Sequence, residues 1–188
     1  LIWAKFGFHF LTTSVWDPVM EEYGALPFIY GTLVSSFLAL LIAVPLGVGS
    51  ALFLAEMAPK KIANAVTFMI ELLAAIPSVI LGLMGIFVLV PAVKYVQPFL
   101  TKWLGFLPFF EGHAYGIGLL TAALILAIMV LPYITSISRD VILSVPVPLK
   151  EAAFGLGATH WEAVRMVILP FARSGILGSI FLALGRAL

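Results

Sequence analysis

Charge disappears from this sequence over long stretches, and those stretches define its predicted elements. No charged residue occurs between Tyr23 and Ala55, and Glu71 is the one charge between Ile62 and Val93. A third run, Gly112 to Ser138, carries no formal charge, and a fourth starts near Val167 and stays largely apolar to Leu188. A membrane-crossing helix needs about 20 predominantly apolar residues. The pattern therefore predicts four helical spans, at about 28–55, 62–91, 115–137 and 168–188, with a long loop over 139–167. Barrel strands would give short alternating segments instead. The expected fold is all-α: one polytopic transmembrane bundle filling 1–188, with no separate soluble domain. The chain opens on Leu1 and stops inside an apolar run at Leu188, so the bundle is expected to be truncated at both ends.

Composition agrees with lipid as the solvent. Hydrophobic residues make up 63% of the 188 and charged residues 10%, with a mean hydropathy of +1.18. A soluble domain carries about 25% charged residues. A net charge of +1 offers no field for nucleic acid. The lack of cysteine removes disulfides, thiolate metal sites and thiol nucleophiles.

Orientation follows from the loops. If the 139–165 stretch is cytoplasmic, that side holds Lys60, Lys61, Arg139, Lys150 and Arg165, with Arg173 close by. The other side holds Lys5, Lys94 and Lys102 beside Asp17, Glu21, Glu22 and Glu111. This is a modest positive-inside bias. The outer segments are aromatic and broken by proline, as in Trp16-Asp17-Pro18 and Trp103 to Phe110, and predict interfacial re-entry or short surface helices.

Within the spans, small residues recur at helical spacing: Gly31, Ser35, Ala39, Ala43, Gly47, Ala51 and Ala55; then Glu71, Ala75, Ser78, Gly82 and Gly85; then Gly175, Ser179 and Ala183. Such stripes let helices approach closely, and ordinary helix packing is their simplest reading. Prolines at 45, 77 and 132 fall inside spans, where the carbonyls they free need neighbours or water.

The loop over 139–167 holds more specific local signals. Pro148 suits the first turn of a helix, where its missing donor is not needed. Leu149, Ala152, Ala153 and Leu156 then form one apolar face. Gly157 can end that helix in a left-handed conformation. Thr159 and Glu162 have capping-box spacing for a second helix, lined by Trp161, Val164 and Ile168. Two short amphipathic helices joined by a glycine would make either a docking knob or a mere connector.

The segment Glu151-Ala152-Ala153, three residues, Gly157, nine residues, Val167, then Leu169-Pro170 resembles the EAA loop of binding-protein-dependent ABC importer permeases. Val167 stands where that family favours isoleucine. The resemblance implies that Glu151, Ala152, Ala153, Gly157, Leu169 and Pro170 belong to a coupling element seated in a groove of a cytoplasmic ATPase subunit. Three more stretches look like the phosphate permeases of this family: Thr12 to Pro18 with Gly24-Ala25-Leu26-Pro27 and Tyr30-Gly31-Thr32; Glu71 to Val79; and Gly185-Arg186-Ala187-Leu188. Together they imply an inner-membrane, alternating-access importer of inorganic phosphate. Its expected partners are a second homologous permease subunit, cytoplasmic ATPase subunits and a periplasmic phosphate-binding protein. By the same resemblance one span precedes this chain and at least one follows. Molybdate and sulfate permeases share the loop, so the anion stays open between them.

Two intramembrane charges are candidates for the substrate path, Arg186 and Glu71. Arg186 lies thirteen residues beyond Arg173, about 20 Å along a helix. A central arginine costs about 2.5–3.5 kcal/mol on insertion scales unless it faces protein or water. Its planar fork suits a tetrahedral oxyanion, but a structural pair would satisfy it equally. Glu71 would repel phosphate unless protonated, so it is expected to hold an arginine or bond to the partner subunit. Arg139-Asp140 reads as a boundary pair at the membrane surface. His9, His113 and His160 fall outside the predicted spans, and no nucleotide-binding Gly-x-x-x-x-Gly-Lys occurs. An enzyme is not expected, no cofactor is called for, and energy must come from another chain. A self-sufficient secondary transporter, which has no need of the loop motif, is the weaker alternative.

Overall fold

The computed structural model describes residues 7–17, 19–20, 22–104 and 118–188, with the side chains at 97 and 100–104 set aside. The expected start of the third span at 115, the outer residues Lys5, Pro18, Glu21 and Glu111, the 105–110 segment and His113 lie outside the described residues.

The described residues open with α1 (His9–Thr12) and a two-strand hairpin, β1 (Trp16–Asp17) paired antiparallel to β2 (Glu22–Tyr23). The Asp17 carboxylate accepts the amides of Val19 and Met20 at 2.8 and 3.2 Å, closing the turn. The Trp16 ring meets Tyr23 and Phe28 edge-on, which pins the hairpin to the start of α2. The outer segment is therefore a short helix with a hairpin, rather than surface helices alone.

Helix α2 (Leu26–Leu52) is prolonged by a π turn, Phe53–Met57. After it come α3 (Lys60–Ala74) and α4, which runs 78–104 with a π turn at Gly85–Leu89. Helix α5 is Leu119–Leu143, α6 is Val147–Gly155, and α7 is His160–Ala187 with a π turn at Val164–Ile168. Four of these stretches are long and apolar enough to cross a membrane: Leu26–Met57, Ser78–Val96, Leu119–Leu143 and His160–Ala187.

Helix α5 is the hub, packing against α2, α3, α4 and α7. Of its apolar window 44% is buried, against 17% for α4, so α4 is peripheral within this chain. The first small-residue stripe makes the main contact: Ser35, Ala39, Ala43, Gly47 and Ala51 are buried, letting α2 lie along α5. A Cβ on Gly47 would stand 2.9 Å from Ile134 Cγ2, so this approach requires glycine. The third stripe works likewise, with Ser179 and Ala183 buried and Gly175 against Val141. Hydroxyls bond across these contacts: Ser138 with Ser179 at 2.9 Å, and Ser36 donating to the Ala187 carbonyl at 3.1 Å. In an apolar solvent such bonds supplement close packing.

Two expectations need correction. The span expected over 62–91 is two helices, broken at 75–77. Pro77 cannot donate to the preceding turn and disfavours helical geometry at Ile76; with ψ at 134° it caps α4 instead of continuing α3. The second small-residue stripe also does not pack inside the chain: Glu71, Ala75 and Ser78 are exposed, and of the five only Gly85 is buried.

Candidate functional site: the loop helix and the intramembrane arginine

The loop folds largely as its local signals predict. Pro146, with ψ at 131°, caps α6, and Pro148 stands in its first turn. At the other end Gly157 adopts φ +84°. Its amide bonds the Phe154 carbonyl at 3.0 Å while Ala158 bonds the Ala153 carbonyl at 3.1 Å. Those two bonds form a Schellman motif, which satisfies carbonyls the helix end would leave open. Two residues later the capping box closes: the Thr159 amide donates to Glu162 Oε2 at 2.8 Å, and the Glu162 amide to Thr159 Oγ1 at 3.4 Å.

The helix started by this box is not a second short element. It continues through the π turn into the fourth span as one helix, α7. Val164 and Ile168 are buried as expected, but Trp161 is 63% exposed. The turn at 156–159 therefore sits directly on the end of a membrane-capable helix, with no flexible link between them.

Helix α6 and the start of α7 enclose an apolar groove of about 400 Å³, lined by Leu149, Ala152, Ala153, Leu156 and Met166 among others. Leu156 is 91% exposed, and Glu151, Ala152 and Gly157 are also at the surface; Ala153 is half-buried. Leu169 and Pro170 lie on α7, half-buried and exposed. Glu151, Ala152 and Gly157 are thus exposed around a turn fixed by backbone geometry, while Leu169 packs against the buried cluster with Ile142 and Ile168.

One anchor of this surface was missed in the sequence. Lys150 Nζ meets Glu56 Oε1 at 2.5 Å, and the two side chains are 17% and 9% exposed. Glu56 lies in the π turn that ends α2. Its only sequence signal is a lone carboxylate closing a long uncharged run. Lys60 and Arg139 line a cavity of about 240 Å³ with Leu54 and Ala55, so these two cations stand beside the turn that carries Glu56. Arg139 approaches Asp140 at 3.8 Å; Asp140 is largely exposed, but the Arg139 side chain is mostly buried and its Nε has no hydrogen-bond partner among the described residues.

Arg186 lies far from this surface. Ser36, which bonds the neighbouring Ala187 carbonyl, stands twenty residues before Glu56 on the same helical stretch, about 30 Å at the helical rise. The guanidinium turns inward: Nη2 donates to the Ala74 carbonyl at 3.3 Å, and Cζ lies 5.4 Å from the centroid of the Tyr133 ring. Its partner is a main-chain carbonyl at the α3–α4 break, and among the described residues no carboxylate pairs with it. Glu71, one turn before Ala74, faces outward and forms no ion pair with Arg186 among the described residues. The break, the arginine and the tyrosine face create a polar point inside an apolar bundle.

Residues 43–188 match the family described as binding-protein-dependent transport system inner membrane component. The chain is similar to the phosphate transport system permease protein PstC of Mesorhizobium japonicum, at 52% identity over 98% of the chain and 58% of that protein. It is likewise similar to those of Pasteurella multocida, at 50% identity over 98% of the chain and 59% of the relative, and Haemophilus influenzae, at 52% over 98% and 60%. The chain spans about 60% of the length of these relatives. Among solved structures it resembles an inward-facing MetNI methionine ABC transporter, with a TM-score of 0.57 and 25% identity over 87% of the chain and 68% of that one. With the family match running through most of the bundle and the loop surface, and relatives at half identity across nearly every residue, the chain belongs to the inner membrane components of binding-protein-dependent transport systems.

Proposed function

We propose that this chain is the core of a permease subunit that carries inorganic phosphate across the inner membrane, driven by ATPase subunits docking on the loop surface. The carrying observation is that surface itself: a loop motif folded onto a Schellman turn and a capping box, apolar and exposed, and continuous with a membrane-capable helix. An exposed apolar groove of this kind suits a protein partner. The names of the relatives support phosphate as cargo, while the likeness to a methionine transporter leaves the substrate undetermined by the fold.

A second homologous permease would cover the face of α3 and α4 that stays open in this chain. Glu71, Ala75 and Ser78 lie on that face, and a carboxylate there is costly against lipid. Glu71 then serves the contact between subunits or the wet path between them. A periplasmic binding protein would deliver the anion on the side of the hairpin.

Arg186 is the residue proposed to meet phosphate. Its bond to the Ala74 carbonyl is long, at 3.3 Å, and leaves most of its five donors for an incoming oxyanion. The test is uptake of labelled phosphate by the full-length permease in its complex. Arg186→Ala should abolish uptake while the complex still assembles, and Arg186→Lys should retain less than charge alone suggests, because it loses the planar fork. Loss of assembly in the alanine variant makes the arginine structural; normal uptake refutes the assignment. Competition by molybdate or sulfate in the same assay would move the substrate reading to those anions.

A further inference from the structure

We infer that the ion pair between Lys150 and Glu56 is the strut through which the loop helix moves the first span. The inference rests on the reading that the loop surface docks an ATPase.

Helix α6 buries no residue of its own. Its main packing is against the first turns of α7 rather than α2. Among the described residues a polar bond does join α6 to α2, the Lys150–Glu56 pair, between residues 94 positions apart and largely withdrawn from solvent. Such a pair is a poor device for stability alone. The desolvation of two charges offsets much of their attraction, and well-packed apolar side chains of similar volume often do as well. Its distinctive property is position: a short, charge-assisted bond fixes two groups in one geometry, and losing either partner leaves a buried charge uncompensated.

The seat of Glu56 points the same way. It lies in the π turn Phe53–Met57, closed by the Ala58 amide on the Phe53 carbonyl at 2.9 Å. Such turns are local irregularities that frequently mark functional positions. Next to it Leu54 is buried, and Ala51, one turn earlier, packs in a cluster with Ile142, Val145 and Ile168. Displacement of Lys150 therefore acts on a turn seated where α2, α5 and α7 meet. From there α2 lies along α5 through the small-residue stripe, toward the level of Tyr133 and Arg186. Glu56 and Lys150 are positioning residues on this account; neither touches the transported anion.

The experiment uses the full-length permease with its second permease and ATPase subunits in proteoliposomes, and compares wild type with Glu56→Gln, Lys150→Met and the exchange Glu56→Lys/Lys150→Glu. Three quantities are measured: ATP hydrolysis, labelled phosphate uptake, and disulfide cross-linking of Leu156→Cys to a cysteine on the ATPase groove. Each single variant should lower phosphate taken up per ATP by about tenfold, a usual size for coupling between sites, with cross-linking unchanged. The exchange should restore the ratio to within about threefold, because the charges still meet. Single variants with a wild-type ratio overturn the proposal, and so does an exchange variant that assembles yet stays uncoupled. If the single variants fail to assemble, the exchange decides alone by the same ratio. Absence of the cross-link in the Leu156→Cys protein with Glu56 and Lys150 intact would instead sink the docking reading, an outcome distinct from either of these.

Discussion

Replacing Gly157 tests whether the loop surface depends on one backbone angle. Gly157 holds φ +84°, and a Cβ built there meets nothing within 4 Å. A substitution therefore strains the backbone without any clash with neighbouring side chains. For an ordinary L-residue the left-handed region costs about 1–2 kcal/mol, and a β-branched residue sits at or above the top of that range. The other route is to leave that region, which gives up the Gly157–Phe154 and Ala158–Ala153 bonds, each worth about 0.5–1.5 kcal/mol net. The two routes have similar costs, so Gly157→Val should disfavour the native turn by about 2 kcal/mol, or roughly 30-fold in its population. Because no residue of α6 is fully buried, the loss should stay local: thermal stability of the bundle and membrane insertion should hold. Transport-linked ATP hydrolysis should fall, and amide exchange at 157 and 158 should accelerate. Gly157→Asn is the control, since asparagine tolerates the left-handed region, and it should keep most of the activity. A Gly157→Val protein with normal coupled hydrolysis, or one no worse than Gly157→Asn, would refute the argument.

Single cysteines at Lys61 and Thr159 should react with an impermeant maleimide only from the cytoplasmic side and one at Thr12 only from the other, a clean test in a chain without cysteine; same-side labelling of Thr12 and Thr159 would overturn the span assignment. Gly47→Ala should destabilise the bundle by about 1–3 kcal/mol, because the new methyl would stand 2.9 Å from Ile134, which is fully buried. Gly49→Ala, with nothing within 4 Å, should be close to neutral; equal melting temperatures for the two in detergent would disprove the close α2–α5 approach.

The features legible in the sequence are those whose physics is local. Long uncharged runs predict helices because a backbone in lipid must satisfy its own hydrogen bonds. Gly157 and the Thr159–Glu162 box predict a turn because their angles and bonds span only a few residues. The stripe from Ser35 to Ala51 is likewise a property of one helix, although its partner α5 is not visible from it. Where several parts of the chain compete, the tertiary structure decided. Pro45, Pro77 and Pro132 impose the same local restriction, yet only Pro77 breaks its helix. Around Pro45 and Pro132, α2 and α5 hold each other through Ala43, Gly47 and Ile134, whereas Pro77 itself is exposed and the residues that reach the same core, Ile76 and Leu81, stand on either side of the break. The joining of the loop's second helix to the fourth span was hidden for a related reason: the π turn at Val164–Ile168 shifts the helical register that the apolar pattern was counted in. Arg186 could be seen to need a partner, but which group would face it depended on the carbonyl exposed at the Pro77 break. Glu56 and Lys150 carried no shared signal, because a contact between residues 94 apart exists only once α2, α5 and α7 have packed and brought the two ends together.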